Sequence, residues 1–255
     1  MKLSAWIASA LCILGLGGAV AASPAIPAYV KAAVANPHRP AADTALDPER
    51  KPADMVVFAG IKPGDTVVDL IPGGGYFTRI FSKAVGPKGH VYSFQPTEMD
   101  RFNKDGKRAP IFAIAADPAY ANVTVLNAPI DDFSTPAKVD VVWTSQNYHD
   151  LHDPFMGPAD MAKVNKAIFD ALKPGGVYIV LDNAAAPGTG TADTNTLHRI
   201  DPAVVKQEVA AAGFKFAGHS DVLRNPKDDH TLKVFDPRIR HHTDQFIYKF
   251  RKPAK

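Results

Sequence analysis

The stretch Thr66-Val67-Val68-Asp69-Leu70-Ile71-Pro72-Gly73-Gly74-Gly75-Tyr76 decides the fold. Its first five residues form a short, β-branched run behind the turn chemistry of Lys62-Pro63-Gly64-Asp65, and they read as a strand. Three glycines follow at once, and Tyr76 to Val85 has helical spacing. A strand, a bare turn and a helix in that order make a backbone suited to close approach by a ligand. Glycine removes the Cβ from the path, and the helix N-terminus offers free N–H groups and partial positive charge. The dinucleotide fingerprint is absent, because Thr78 stands where its third glycine belongs, and no phosphate-loop Gly-Lys-Ser/Thr follows.

Outward from this turn the chain alternates strand and helix. Upstream, Asp47 to Gly60 reads as a helix, with Asp47 as N-cap, Pro48 at the first position and Gly60 as stop. Downstream, strands are predicted at His90 to Phe94, Val123 to Leu126, Val139 to Thr144, Val177 to Leu181, Phe214 to Gly218 and Gln245 to Arg251. Helices are predicted within 96–118 (interrupted near Pro110), from about Pro158 to Leu172, and from Pro202 to Ala212. Residues 184–197 read as a loop. Residues 224–244, charged and carrying Pro226 and Pro237, read as an insertion before the last strand. Short apolar strands separated by helices imply an α/β chain whose mostly parallel sheet is covered on both faces.

The ends and the composition set the context. Lys2, the apolar run Leu3 to Val20 and the small-x-small site Ala19-Val20-Ala21 read as a signal peptide over residues 1–21, with an uncleaved anchor as the alternative. Export to a periplasmic or extracellular space is therefore expected. Residues 22–46, rich in Ala and Pro, read as an arm or a short helix from Pro27 to Ala35, ahead of one domain spanning 47–255. No later stretch is long and apolar enough to span a bilayer, so no membrane partner is expected after cleavage. With 29 basic and 26 acidic side chains, the charge balance gives no reason to expect nucleic acid as an obligate partner. The single cysteine, Cys12, excludes an intrachain disulfide and any cysteine-based metal site. The oligomeric state is not readable.

The run Val67 to Tyr76 resembles the first motif of class I S-adenosylmethionine-dependent methyltransferases. More narrowly, the chain is similar to a group of exported bacterial methyltransferases of acidic-x-x-Pro-Gly-Gly-Gly-aromatic pattern. Further matches are Asp47-Pro48-Glu49-Arg50-Lys51-Pro52, Gln146-Asn147-Tyr148-His149-Asp150, His198-Arg199-Ile200-Asp201, and the segments Leu223 to Pro226 and Val234 to Pro237. The resemblance implies a Rossmann-like, seven-stranded, mostly parallel sheet with an antiparallel last strand. It implies S-adenosyl-L-methionine as cofactor, held by Asp69, Gly73, Gly74, Gly75, Gln95, Asp131 and Asn147. Two positions depart from the pattern: Ile71 replaces the motif's first glycine, and Gln95 stands where a ribose-binding acid belongs.

Methyl transfer needs its acceptor in line with the carbon–sulfur bond, and a protonated nucleophile also needs a base. His149, just past the fourth strand, is the expected base or substrate ligand, with Tyr148 shaping the methyl pocket. Asp182, His198 and Arg199 are expected at a small-molecule substrate, Arg199 against an anionic group or else paired with the 224–244 insertion. The expected function is a methyltransferase acting on an unidentified small molecule. The alternatives are a non-catalytic binding protein of the same fold, and a metal-assisted hydrolase or lyase using His149 and His152. His-x-x-His recurs easily by chance and Pro154 follows it, so no metal is expected.

Overall fold

The computed structural model describes residues 25–103 and 106–254; the expected signal peptide and Cys12 lie outside them. The elements run α1 (Ala28–Val34), α2 (Ala41–Thr44), α3 (Asp47–Arg50), α4 (Pro52–Ala59), β1 (Thr66–Leu70), α5 (Tyr76–Val85), β2 (His90–Pro96), α6 (Pro110–Ala116) and β3 (Val123–Ala128). They continue with β4 (Val139–Ser145), α7 (Met161–Ala171), β5 (Leu172–Asn183), α8 (Thr194–Leu197), α9 (Pro202–Ala211), β6 (Lys215–Ser220) and β7 (Gln245–Arg251). The strands join in one sheet of order β3-β2-β1-β4-β5-β7-β6, in which β7 alone runs antiparallel to its neighbours.

β1 is buried on both faces, as a central parallel strand must be. Val67, Val141, Trp143 and Ile179 face one core, where α5 packs Phe77, Ile80, Phe81 and Ala84 at helical spacing. Val68, Val142, Tyr178 and Val180 face the other core, beneath α7 and α9. Trp143 is fully buried against Phe77, their ring centroids 4.7 Å apart. Side chains of this size contribute about 1.5–3 kcal/mol each when removed from water. Asp160 and Asp201 cap α7 and α9 by accepting the backbone N–H groups of Lys163 and Ala203.

Several boundaries differ from expectation for local reasons. The helix expected over Asp47 to Gly60 is broken at Lys51, which sits in the left-handed region at φ 46°; the proline that follows disfavours the right-handed α conformation there. The short helix expected from Pro27 to Ala35 is α1, which buries Val30 and Ala33 in the α5 core, and Arg39 ties the segment to Asp47 at 2.6 Å. Residues 184–197 contain the short helix α8. Pro110 opens α6 rather than interrupting a longer helix. The 224–244 segment contains no helix or strand and is fixed by its own polar contacts, centred on Asp228 and Asp244.

Sheet order reverses between β1 and β4. In open parallel sheets, ligands bind beyond the carboxyl ends of the strands at such a reversal.

Candidate active site

Two adjoining clefts open at that edge. The first, about 280 Å³, lies over the glycine turn and is lined by Asp69, Ile71, Gly73, Gly74, Arg50 and Asn147 among others. A Cβ built on Gly73 or Gly74 would meet nothing within 4 Å, so the turn fronts open space. Gly75 differs. It caps α5 at φ 76°, and a Cβ there would fall 2.2 Å from Ile114 Cδ1, so its bareness serves packing. Ile71 sits at φ 57°, the left-handed region that the resemblance's missing glycine would enter freely. Asn147 Nδ2 donates to the carbonyls of Ile71 (2.9 Å) and Ser145 (2.7 Å), tying the end of β4 to the turn.

Asp69 accepts a hydrogen bond from Thr78 Oγ1 at 2.5 Å and is almost completely buried. Burial pushes its carboxyl up to about 7, against the opposing pull of Thr78. The N-terminal segment roofs the cleft. Tyr76 donates its hydroxyl to Asp47 at 2.6 Å, and Arg79 pairs with Asp43 at 2.8 Å. Arg50 lies 4.6 Å over the Tyr76 ring. With Asp47 and Asp43 taken by Arg39 and Arg79, Arg50 has no ion-pair partner among the described residues.

The second cleft, about 200 Å³, shares Arg50 and Gln146 with the first. Its other walls include His149, Asn183, Phe235 and Arg240.

His149 is held on three sides. Asp182 accepts both its backbone N–H (2.8 Å) and its ring Nδ1 (2.9 Å). Its Nε2 lies 3.2 Å from Asp150 Oδ1 and 3.3 Å from His198 Nδ1. Burial opposes charge on this imidazole, but the charge of Asp182 and the hydrogen bonds to Asp150 and Asp182 outweigh it and raise its pKa to about 10. Burial and the neighbouring His149 lower that of His198.

The structure therefore brings together Asp69, Gly73, Gly74 and Asn147 at one cleft and His149 at the next. The other expected site residues are corrected. A base must be unprotonated at the working pH, and the charges of Asp182 and Asp150 favour the protonated imidazole of His149, which opposes the role of base while leaving His149 on the wall of the second cleft. Tyr148 shapes no pocket: its fully buried hydroxyl donates to Glu208 (2.8 Å) and accepts from Asn165 (2.9 Å). Gln95 is buried at the end of β2 and lines neither cleft. Asp131 accepts the backbone N–H of Asp160 at 3.1 Å instead of facing a ligand. Asp182, with no exposed surface, orients His149 and is unavailable to substrate. Arg199 is fully buried, paired with Asp228 at 2.8 Å and bonded to the carbonyls of Leu232 and Ala184, so it contacts the insertion and not an acceptor. His152 faces Glu208 at 3.3 Å, away from any pairing with His149. His198 stands beside His149 rather than on the cleft wall.

Sequence reasoning missed Arg50 and Gln146 as the residues common to both clefts. Arg50 had a signal, since it lies in the Asp47 to Pro52 match. Gln146 also had one, as the first residue of the Gln146 to Asp150 match, but the left-handed φ of 60° that brings it to the cleft is not announced by residue type.

No protein-family model matches the sequence. Among curated proteins, the chain is 29% identical over 128 residues to a protein-L-isoaspartate O-methyltransferase of Ignicoccus hospitalis, covering 50% of this chain and 52% of that protein. The chain thus spans about half the length of that curated relative. Among solved structures it resembles a SAM-dependent methyltransferase from Aquifex aeolicus (TM-score 0.54, 19% identity, 84% of this chain and 98% of that one). It also resembles the glycopeptide N-methyltransferase MtfA complexed with sinefungin (0.54, 14%, 80% and 86%). A third neighbour is the [4+2]-cyclase SpnF (0.58, 15%, 81% and 81%). At these identities the likeness establishes the fold.

Proposed function

We propose that this chain, which has the class I S-adenosylmethionine-dependent methyltransferase fold, transfers a methyl group from S-adenosyl-L-methionine to a small molecule outside the cytoplasm. The observation that carries the reading is the pair of clefts sharing Arg50 and Gln146 at the sheet's reversal. Transfer between two molecules requires two sites with a common wall.

The residues fit the cofactor at the glycine turn, where Gly73 and Gly74 leave open the volume that side chains would fill. When bound there, S-adenosyl-L-methionine supplies an electrophilic methyl on a sulfonium. Gly73 and Gly74 would present bare backbone to it. Arg50 would neutralise its carboxylate, and Asn147 holds the turn in shape through Ile71. Catalysis by such a site is mostly positioning. In the second cleft Arg50 and Arg240 give the wall positive charge, which suits an acceptor bearing an anionic group. Residues 1–21 would direct the chain across the cytoplasmic membrane and then be removed.

Calorimetry with S-adenosylmethionine and its demethylated product tests the reading. Micromolar or tighter binding of both is expected, and absence of heat with either sinks it. A reporter fused to residues 1–21 should leave the cytoplasm; retention equal to an unfused reporter sinks the localisation. The cyclase neighbour and the absence of Gln95 and Asp131 from the cleft favour one second reading, a protein that binds the nucleoside without transferring from it. Binding with no turnover across oxygen, nitrogen and carboxylate acceptors would select that reading.

A further inference from the structure

We propose that His149 Nε2, Asp150 Oδ1 and His198 Nδ1 are the protein ligands of a divalent transition-metal ion of the zinc class. The three atoms stand 3.2, 3.3 and 3.9 Å apart. A tetrahedral ion with bonds of about 2.0–2.1 Å sets its ligand atoms about 3.3 Å from one another. Two of the three separations already match, and the third needs to close by about half an ångström. Two imidazoles and one carboxylate are borderline donors that select zinc, cobalt or iron over calcium or magnesium.

The surroundings support a metal over a chance cluster. Metal-ligating histidines hold the opposite ring nitrogen against a carboxylate. His149 does this with Asp182, which is fully buried and also grips its backbone N–H. A second buried acid, Asp153, feels the charges of His149, Asp150 and His198. Three acids thus surround two imidazoles that sit edge to face. The pair from different segments, His149 and His198, replaces the contiguous His149 and His152 that sequence spacing suggested.

His149 lines the second cleft, so three protein ligands would leave a coordination position there for a hydroxyl or water. An ion in that position lowers the pKa of the bound hydroxyl, whose proton passes to solvent. That role rests on the methyltransferase reading; the binding of the ion does not.

The test uses untagged full chain stripped with chelator, titrated with zinc chloride by calorimetry and with cobalt(II) by visible absorption. One equivalent of zinc is expected, together with the intense bands of tetrahedral cobalt. His198→Ala and Asp150→Ala should each weaken zinc at least 100-fold, and Asp182→Asn by about 10–100-fold. His152→Ala and His241→Ala should change nothing. Zinc should raise the Tm of the wild type but not of His198→Ala, which separates lost ligation from lost folding. No zinc heat in the wild type, or zinc binding indifferent to His198→Ala, overturns the proposal. S-adenosylmethionine titrated on the same samples keeps the two readings apart: zinc bound without the nucleoside sinks the transferase and leaves the metal site, and the converse sinks the metal site alone.

Discussion

The glycine turn and the His149 cluster face neighbouring clefts at one sheet edge, yet they are built from opposite materials. The turn is backbone: Gly73 and Gly74 contribute peptide groups and empty volume, within a single stretch of eleven residues. The cluster is charge: His149 and Asp150 from beyond β4, Asp182 from β5 and His198 from beyond α8 meet across 49 residues of chain. It is anchored in turn by Arg199 and Asp228 from the next segment and the insertion. One half works by having no side chains, and the other by having side chains that hold one another. Substitutions should therefore act in opposite ways on the two, affecting binding at the turn and stability at the cluster.

The largest expected effect falls on the charged half. Arg199→Met strands Asp228 in a place with almost no exposed surface. Breaking a buried pair in this manner costs about 3–5 kcal/mol. Urea unfolding should show that loss, and a loss below about 1 kcal/mol would mean the pair is not insulated from water. At the turn, Gly74→Val should weaken S-adenosylmethionine at least 100-fold, about 2.7 kcal/mol, with an unchanged Tm, because nothing in the protein occupies the new side chain's space. Gly75→Ala should behave in reverse. Its left-handed φ and the approach to Ile114 cost about 1–2 kcal/mol of stability, while binding survives. Equal binding by wild type and Gly74→Val would show that the cofactor does not touch the turn.

The two halves should also separate by pH. The native carboxyl of Asp69 titrates at about 7, above its unfolded value, so the native state holds a proton that the unfolded chain has released. Its contribution to stability therefore falls as pH rises from about 4 to 7 and is constant beyond. In the metal-free chain His149, raised to about 10, contributes fully below about 6.5 and loses that contribution as pH climbs through 10. Asp69→Asn should remove the lower slope and gain on the order of 1 kcal/mol at pH 8, with no gain at pH 4. An NMR titration of the metal-free chain that finds His149 titrating near 6.5 would dissolve the picture of a clamped imidazolium.

This division explains what the sequence made legible. The sheet, its antiparallel last strand and the glycine turn follow from contiguous residues: β-branched runs, Pro-Gly turns and a 3.6-residue spacing each act over a few positions. β7 begins and ends where its residue pattern places it, at Gln245 and Arg251. Roles that depend on partners distant in sequence were not legible. Whether Arg199 meets a substrate or Asp228 is decided by the course of residues 224–244, which carry no periodicity. Tyr148 and His149 are adjacent in sequence, but one faces Glu208 under α9 and the other a cleft, because a short 3₁₀ turn over His149–His152 separates their directions. Gly75 shows the same limit inside the motif, since three glycines look alike until Ile114 is placed beside one of them.

The smallest effects test whether the left-handed backbone beside the clefts is held by packing or by strain. Ile71 and Gln146 adopt φ of 57° and 60°, where a non-glycine residue costs about 1–2 kcal/mol. Glycine relieves that strain at either position, while loosening the unfolded chain by about 0.5–1 kcal/mol. Ile71 is buried in the core, so its removal also forfeits about 1.5–3 kcal/mol of side-chain burial. Ile71→Gly should therefore lose about 1–2 kcal/mol net. Gln146 makes no such contact with a core and lies only partly buried on the cleft wall, so Gln146→Gly should gain about 0.5–1 kcal/mol. Urea midpoints of the two variants compared side by side decide the matter. If both lose more than about 1 kcal/mol, the Gln146 side chain does structural work that its position does not explain. If both gain, Ile71 stands in the motif's first glycine position against the preference of the fold.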